Sequence, residues 1–134
     1  MPLPGESMSV PGYFNFELDE TTRTLRVSLE GAWTTTIAEA FVTAHNSAAD
    51  HCRREFGRLK MITDATRMPI PPQEVTAIIN SGQKIKDGDR FAVVLETTLA
   101  KISARRHLQV MPGTVQWGVF ISASAAETWL QAGS

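Results

Sequence analysis

Phe91-Ala92-Val93-Val94-Leu95 is the stretch on which the fold turns. Five consecutive apolar residues leave no wet face, so as a strand they must be covered on both sides. Such a strand belongs inside a sheet with helices packed on each face. Its flanks agree. Lys86-Asp-Gly-Asp89 reads as a turn, and Thr97-Thr98 offers hydroxyls to cap a helix from Leu99 to about Val110, ended by Met111-Pro112-Gly113.

Working outward, Leu59-Lys-Met-Ile-Thr-Asp64 is a second short, mostly apolar strand, and Val115 to Ile121 a third. Pro69, Pro71 and Pro72 precede a helix with Val75, Ile78, Ile79 and Ile85 along one face, proline being tolerated where a helix begins. Ser124 and Glu127 have capping-box spacing and open a terminal helix carrying Trp129 and Leu130. Toward the N-terminus, Tyr13 to Leu18 alternates loosely, Asp19 to Arg23 forms a polar turn, and Leu25, Val27 and Leu29 alternate with Arg26, Ser28 and Glu30. That is a hairpin with one wet face. Thr34-Thr-Thr36 supplies N-cap hydroxyls, with Thr36 and Glu39 at capping-box spacing. Behind them Ile37, Phe41, Ala44, Ala48 and Cys52 form an apolar helical stripe that runs to about Phe56 and is ended by Gly57.

The predicted order is β-β-α-β-α-β-α-β-α: an α/β domain with a mixed sheet of about five strands and about four helices. Residues 1–12, with three prolines and two glycines, read as a flexible leader, and residues 13–134 as one domain.

Thirteen Lys plus Arg against fourteen Asp plus Glu give no global field to draw the chain to nucleic acid or an anionic membrane. Cys52 is the sole cysteine, so no disulfide within the chain is available. Neither a basic leader with an apolar run nor a stretch approaching the ~20 apolar residues of a membrane span is present, so a cytoplasmic protein with no transmembrane segment is expected.

Leu29-Glu-Gly-Ala-Trp33, Asp64, Arg90-Phe-Ala-Val-Val-Leu95 with Ala100 and Arg105-Arg106, and Ala125-Ala-Glu-Thr-Trp-Leu130, in this element order, resemble the STAS domains of anti-sigma-factor antagonists. The chain is most similar to the uncharacterised bacterial SpoIIAA-like branch, related to STAS domains and to CRAL-TRIO lipid carriers. The resemblance implies a non-enzymatic regulatory module acting through protein–protein contacts. The alternative it implies is a small carrier or sensor of an apolar or anionic metabolite or lipid. The antagonists are phosphorylated on a serine in an Asp-Ser-Ser-Gly-like turn. Here that stretch is Asp64-Ala-Thr-Arg-Met-Pro-Ile-Pro-Pro-Gln73, in which Thr66 is the sole hydroxyl a kinase would find.

Ligands of open α/β sheets sit beyond the carboxyl ends of the parallel strands. There the sequence gathers Trp33, Asp64, Thr66, Arg67, Thr97 and Thr98, a candidate pocket with Trp33 as apolar wall and Arg67 and hydroxyls as anchors. Helix capping explains Thr34, Thr36, Thr97 and Thr98 more simply, and an Asx-type turn explains Asp64. Arg106 falls on the apolar face of its helix, roughly 20° from Leu99. Either it holds a carboxylate or an anionic ligand, or it snorkels to water.

Other chemistry finds little support. His45, His51 and Cys52 lack the three- or four-residue spacing that two metal ligands on one helical face need, so no metal or cofactor is expected. Cys52 reads as a small core residue. No serine elbow, Walker loop or dinucleotide fingerprint is present, and an enzyme is not expected. Phe14 and Phe16 share one face of a bare edge strand, which suggests a symmetric homodimer.

Overall fold

Period-two alternation assigns each strand residue to one side of a sheet, and two different helical layers meet those sides. The computed structural model describes residues 11–97, Ile102, Arg105 and residues 114–133. The elements in chain order are β1 (Tyr13–Asp19), β2 (Thr24–Glu30), α1 (Thr35–Phe56), β3 (Lys60–Arg67), α2 (Gln73–Gly82), β4 (Arg90–Val94), β5 (Gln116–Phe120) and α3 (Ala123–Ala132). The five strands stand side by side in sequence order. β1 is antiparallel to β2 and every other pair is parallel.

The predicted mixed sheet of five strands is therefore present. Three helices are described where about four were expected. The expected helix from Leu99 to Val110 lies largely outside the described residues, although Ile102 and Arg105 are helical. Among the described residues no helix is long and apolar enough to cross a membrane.

Leu25, Val27, Met61, Phe91 and Leu95 share one buried cluster with Phe41, Ala49 and Cys52 of α1 and Val75 of α2. On the opposite side Ile62, Ala92 and Val94 are buried beneath Ala126 and Leu130 of α3. The central strands are thus roofed on both faces, as Phe91–Leu95 required. α1 and α2 meet closely where Gly82 faces Val42: a Cβ at Gly82 would come within 2.6 Å of a Val42 methyl.

Several local readings are corrected. The α1 cap is Thr34, not Thr36: Thr34 is extended (φ −106°) and its hydroxyl accepts from the Ile37 N–H at 3.3 Å, which places Thr36 inside the first turn. Ser122, not Ser124, caps α3, accepting from the Ala125 N–H at 3.2 Å. Glu127 is drawn instead to Arg26, which donates to its two carboxylate oxygens at 2.9 and 2.8 Å. Ile85 lies beyond the end of α2 but packs against the core. The buried stripe of α1 is Ala38, Phe41, His45, Ala49 and Cys52, rotated from the expected one. Ala44 and Ala48 are only half-buried, on the side of α1 that faces the open groove beside β1. The C-terminal end is as expected, with Gly57 in the left-handed region (φ 80°).

Polar groups hold the ends. Asp89, within the expected turn, is 1 % exposed. Its carboxylate accepts from Arg53 Nε at 3.1 Å and from the Lys86 N–H at 2.9 Å, while Arg53 also donates to Asp50 at 3.1 Å and to the Lys84 carbonyl. This cluster ties the end of α1 to the segment leading into β4. At the end of α3, Arg58 donates to the Gly133 carbonyl, Lys60 to the Gln131 side chain, and Arg90 to the Trp129 carbonyl with its guanidinium 3.6 Å from the Trp129 ring. Cations suit the negative end of a helix.

His45 is fully buried. Asn46 donates to the Gly82 carbonyl and accepts from the Lys84 N–H, both at 2.9 Å, which fixes its amide orientation. Its Oδ1 then faces His45 Nδ1 at 3.2 Å, so Nδ1 carries the proton, and Nε2 has no partner among the described residues. Burial pushes the His45 pKa below its ordinary value near 6.5, and the Asn46 bond only partly opposes this.

Two outcomes follow. Asp89→Ala leaves the Arg53 guanidinium without its buried partner and lowers the urea-denaturation free energy by about 3 kcal/mol; a loss below about 1 kcal/mol contradicts the clamp. For His45 the folded pKa lies below the unfolded one. Its stabilising share is complete above about pH 6.5 and is lost as pH falls from there through the folded value. Denaturation midpoints of the wild type should drop more between pH 7.5 and 5.5 than those of His45→Leu, and equal drops contradict the buried neutral imidazole.

Candidate functional site

The carboxyl ends of β2, β3 and β4 bring together only part of the expected rim. A register irregularity between β2 and β3 separates the Ser28–Asp64 pair from the Glu30–Arg67 pair. Within it Asp64 Oδ1 accepts from the Thr66 N–H at 3.0 Å and the Thr66 hydroxyl at 2.6 Å, the Asx-type turn that was expected. Thr66, the hydroxyl that the family resemblance singled out, is thus tied to a carboxylate. Arg67 is exposed and 3.4 Å from Glu30.

Trp33 is 4 % exposed. Its indole N–H donates to the Glu30 carbonyl at 3.0 Å and its ring packs on Phe14 and Phe41, beneath α1. Asp64 follows Ile62 at a two-residue step, so it belongs to the sheet face that α3 covers further along β3. Trp33 and Asp64 therefore serve opposite sides of the sheet. Thr97 is exposed beyond β4. Thr98 and Arg106 lie outside the described residues.

A different concavity is better formed. Between β1 and α1 runs an open groove of about 560 Å³. Phe16 and Leu18 of β1 and Ala44, Ala48 and Cys52 of α1 make its apolar floor. Ser47, His51 and Arg54 make its polar rim. The groove exists because small residues occupy the α1 positions nearest the sheet edge, leaving space that a Leu or Met would fill.

Its geometry suits contact rather than chemistry. The Cys52 thiol is 1 % exposed, and burial pushes its pKa up against the weaker pull of Arg53. A thiolate is the reactive form, so this thiol is a poor nucleophile. Among the described residues, no three His, Cys, Asp or Glu side chains are arranged to hold a metal ion. Sequence reasoning assigned Ala44, Ala48 and Cys52 to the core and missed the groove. The available signal was Ala44, Ser47 and Ala48 clustered on the helix side toward an edge strand. Native protein should react with a thiol reagent at least tenfold more slowly at Cys52 than urea-unfolded protein; equal rates contradict the buried position.

No family model matches the sequence, and no curated protein matches it. Among solved structures, the chain is similar to the crystal structure of an uncharacterized protein from the DUF3478 family with a SpoIIAA-like fold from Shewanella loihica PV-4. The two share 14 % identity at a TM-score of 0.62, over 91 % of this chain and 97 % of that one. At that identity the likeness speaks for the architecture, which is the one the sequence resemblance implied. The chain has a SpoIIAA-like fold.

Proposed function

We propose that the chain is a non-enzymatic interaction module of the bacterial cytoplasm, working through protein–protein contacts. The observation carrying this reading is the groove beside β1. It is open and apolar-floored, and it runs along a strand whose outer edge has no neighbour in the sheet among the described residues. An unpaired strand edge offers a row of backbone donors and acceptors, and an adjacent apolar trough accepts alternate side chains of whatever pairs with it. The buried, protonated Cys52 thiol gives the groove no nucleophile. A second copy of the chain or another protein would suit this surface.

One feature favours the carrier or sensor as a second reading. His51 and Arg54 stand at the rim of an apolar trough, a layout that suits a small amphipathic anion, and about 560 Å³ is within the usual range of ligand sites. Ala48→Arg separates the two readings by filling the floor. Under the contact reading, a protein co-purifies stoichiometrically from native cells with wild type and is lost with Ala48→Arg, while far-ultraviolet circular dichroism is unchanged. Under the carrier reading, native mass spectrometry finds a small-molecule adduct on wild type alone. Identical behaviour of both proteins in both assays contradicts the groove as the working surface.

A further inference from the structure

Self-pairing is written into the edge strand. Tyr13-Phe-Asn-Phe-Glu-Leu-Asp19 pairs with β2 in unbroken register, with no bulge, and the strand contains no proline or lysine. Those are the usual devices that keep a bare edge from pairing. Its pattern is symmetric about Phe16: Phe14 and Leu18 lie on the groove side, and Asn15 and Glu17 are exposed on the other.

We infer that a second copy of this chain occupies the groove, through antiparallel pairing of β1 with its symmetry mate about a two-fold axis at Phe16. This rests on the contact-module reading and names its partner. In that register Phe16 meets Phe16 of the other copy and Phe14 meets Leu18, all on the groove side. On the far side Asn15 meets Glu17 and Tyr13 meets Asp19, so each acidic group faces a neutral hydrogen-bonding side chain. Sliding the axis to Glu17 sets the two Glu17 carboxylates against each other, and like charges directly opposed destabilise a sheet. Apolar matching and charge separation thus favour the Phe16 axis over the Glu17 one, and the Phe16 axis pairs all seven residues of β1 where an Asn15 axis pairs five.

The helices agree with it. α1 packs on β1 and β2, so continuing the sheet across the axis sets α1 beside its antiparallel copy. With α1 seated over both β1 and β2 and strands about 4.8 Å apart, the helix axes lie two strand spacings, about 10 Å, apart, an ordinary helix-packing distance. Ala44, Ser47 and Ala48 are small enough for that approach. The product is one ten-stranded sheet in which the groove is closed by the partner's Phe16 and helix.

Static light scattering at about 50 µM should give twice the 14.7 kDa chain mass. Asn15→Glu creates two like-charge pairs per dimer and should raise the dissociation constant roughly 2- to 30-fold, whereas Asn15→Lys should lower it by a similar factor. Asn15 is exposed, so the fold tolerates either change. Directly opposed residues are about 5 Å apart between Cα atoms, within disulfide reach. Asn15→Cys mixed with Glu17→Cys should therefore cross-link under mild oxidation, while wild type, with its buried Cys52, should not. A monomer at 50 µM overturns the inference but leaves the contact-module reading to its own co-purification test. A dimer that ignores the sign of the charge at position 15, or gives no mixed cross-link, overturns it equally.

Discussion

Phe41 is the contact through which α1, the hairpin and the groove are placed relative to one another. Its ring lies 5.6 Å from both Phe14 and Phe16, stacked on the latter at 19°, and 5.2 Å from Trp33 at a steep angle. On its other flank is His45, 5.9 Å away. Aromatic pairs at such spacings add about 1 kcal/mol each beyond the area they bury. Two strand rings, one loop ring and one helix ring therefore converge between α1 and β1. Elsewhere the hairpin is fixed by β2–β3 pairing, by buried Leu25, Val27 and Leu29, and by the Arg26 bridges and the Gln131–Thr24 hydrogen bond.

The arrangement also explains why one edge is left bare. α3 covers Ile62, Ala92 and Val94 in the middle of the sheet and does not extend over β1. The far face of the hairpin is polar instead, with Arg26 reaching Asp19 at 3.1 Å and Glu127 at 2.8 Å. Hydrogen bonding to Glu127 raises the Arg26 pKa, and the same bond lowers that of Glu127. This truss anchors the hairpin to the last helix without hydrophobic cover. β1 is thus dry on one face and wet on the other, with small residues of α1 beside it and no further strand on its outer edge among the described residues.

Much of this was legible in the residues. The apolar run Phe91–Leu95 demanded cover on both faces and received it from α1, α2 and α3. Gly57 ended α1 as its position suggested, because only glycine enters the left-handed region without strain. What escaped notice shares one physical cause: periodicity registers apolar side chains and is blind to polar groups whose burial is compensated from afar. His45 interrupts the α1 stripe yet sits at its centre. Asp89 looks like any turn aspartate until Arg53, thirty-six residues earlier, encloses it. Lys60 and Arg90 bracket strands as charges would at a surface, yet each is buried against the end of α3. The groove was hidden for the converse reason. Alanines on a helix read as core, and only the groove between α1 and β1 shows that Ala44 and Ala48 leave space.

The edge strand is the element on which the functional account depends, and its backbone amides report on it directly. Hydrogen exchange of β1 measured across a concentration series distinguishes an occupied edge from a vacant one. Slowing of alternate β1 amides between Phe14 and Leu18 as concentration rises, with β4 amides unaffected, is the expected result. Exchange of those amides at one unchanging rate from sub-micromolar to hundred-micromolar protein would contradict it.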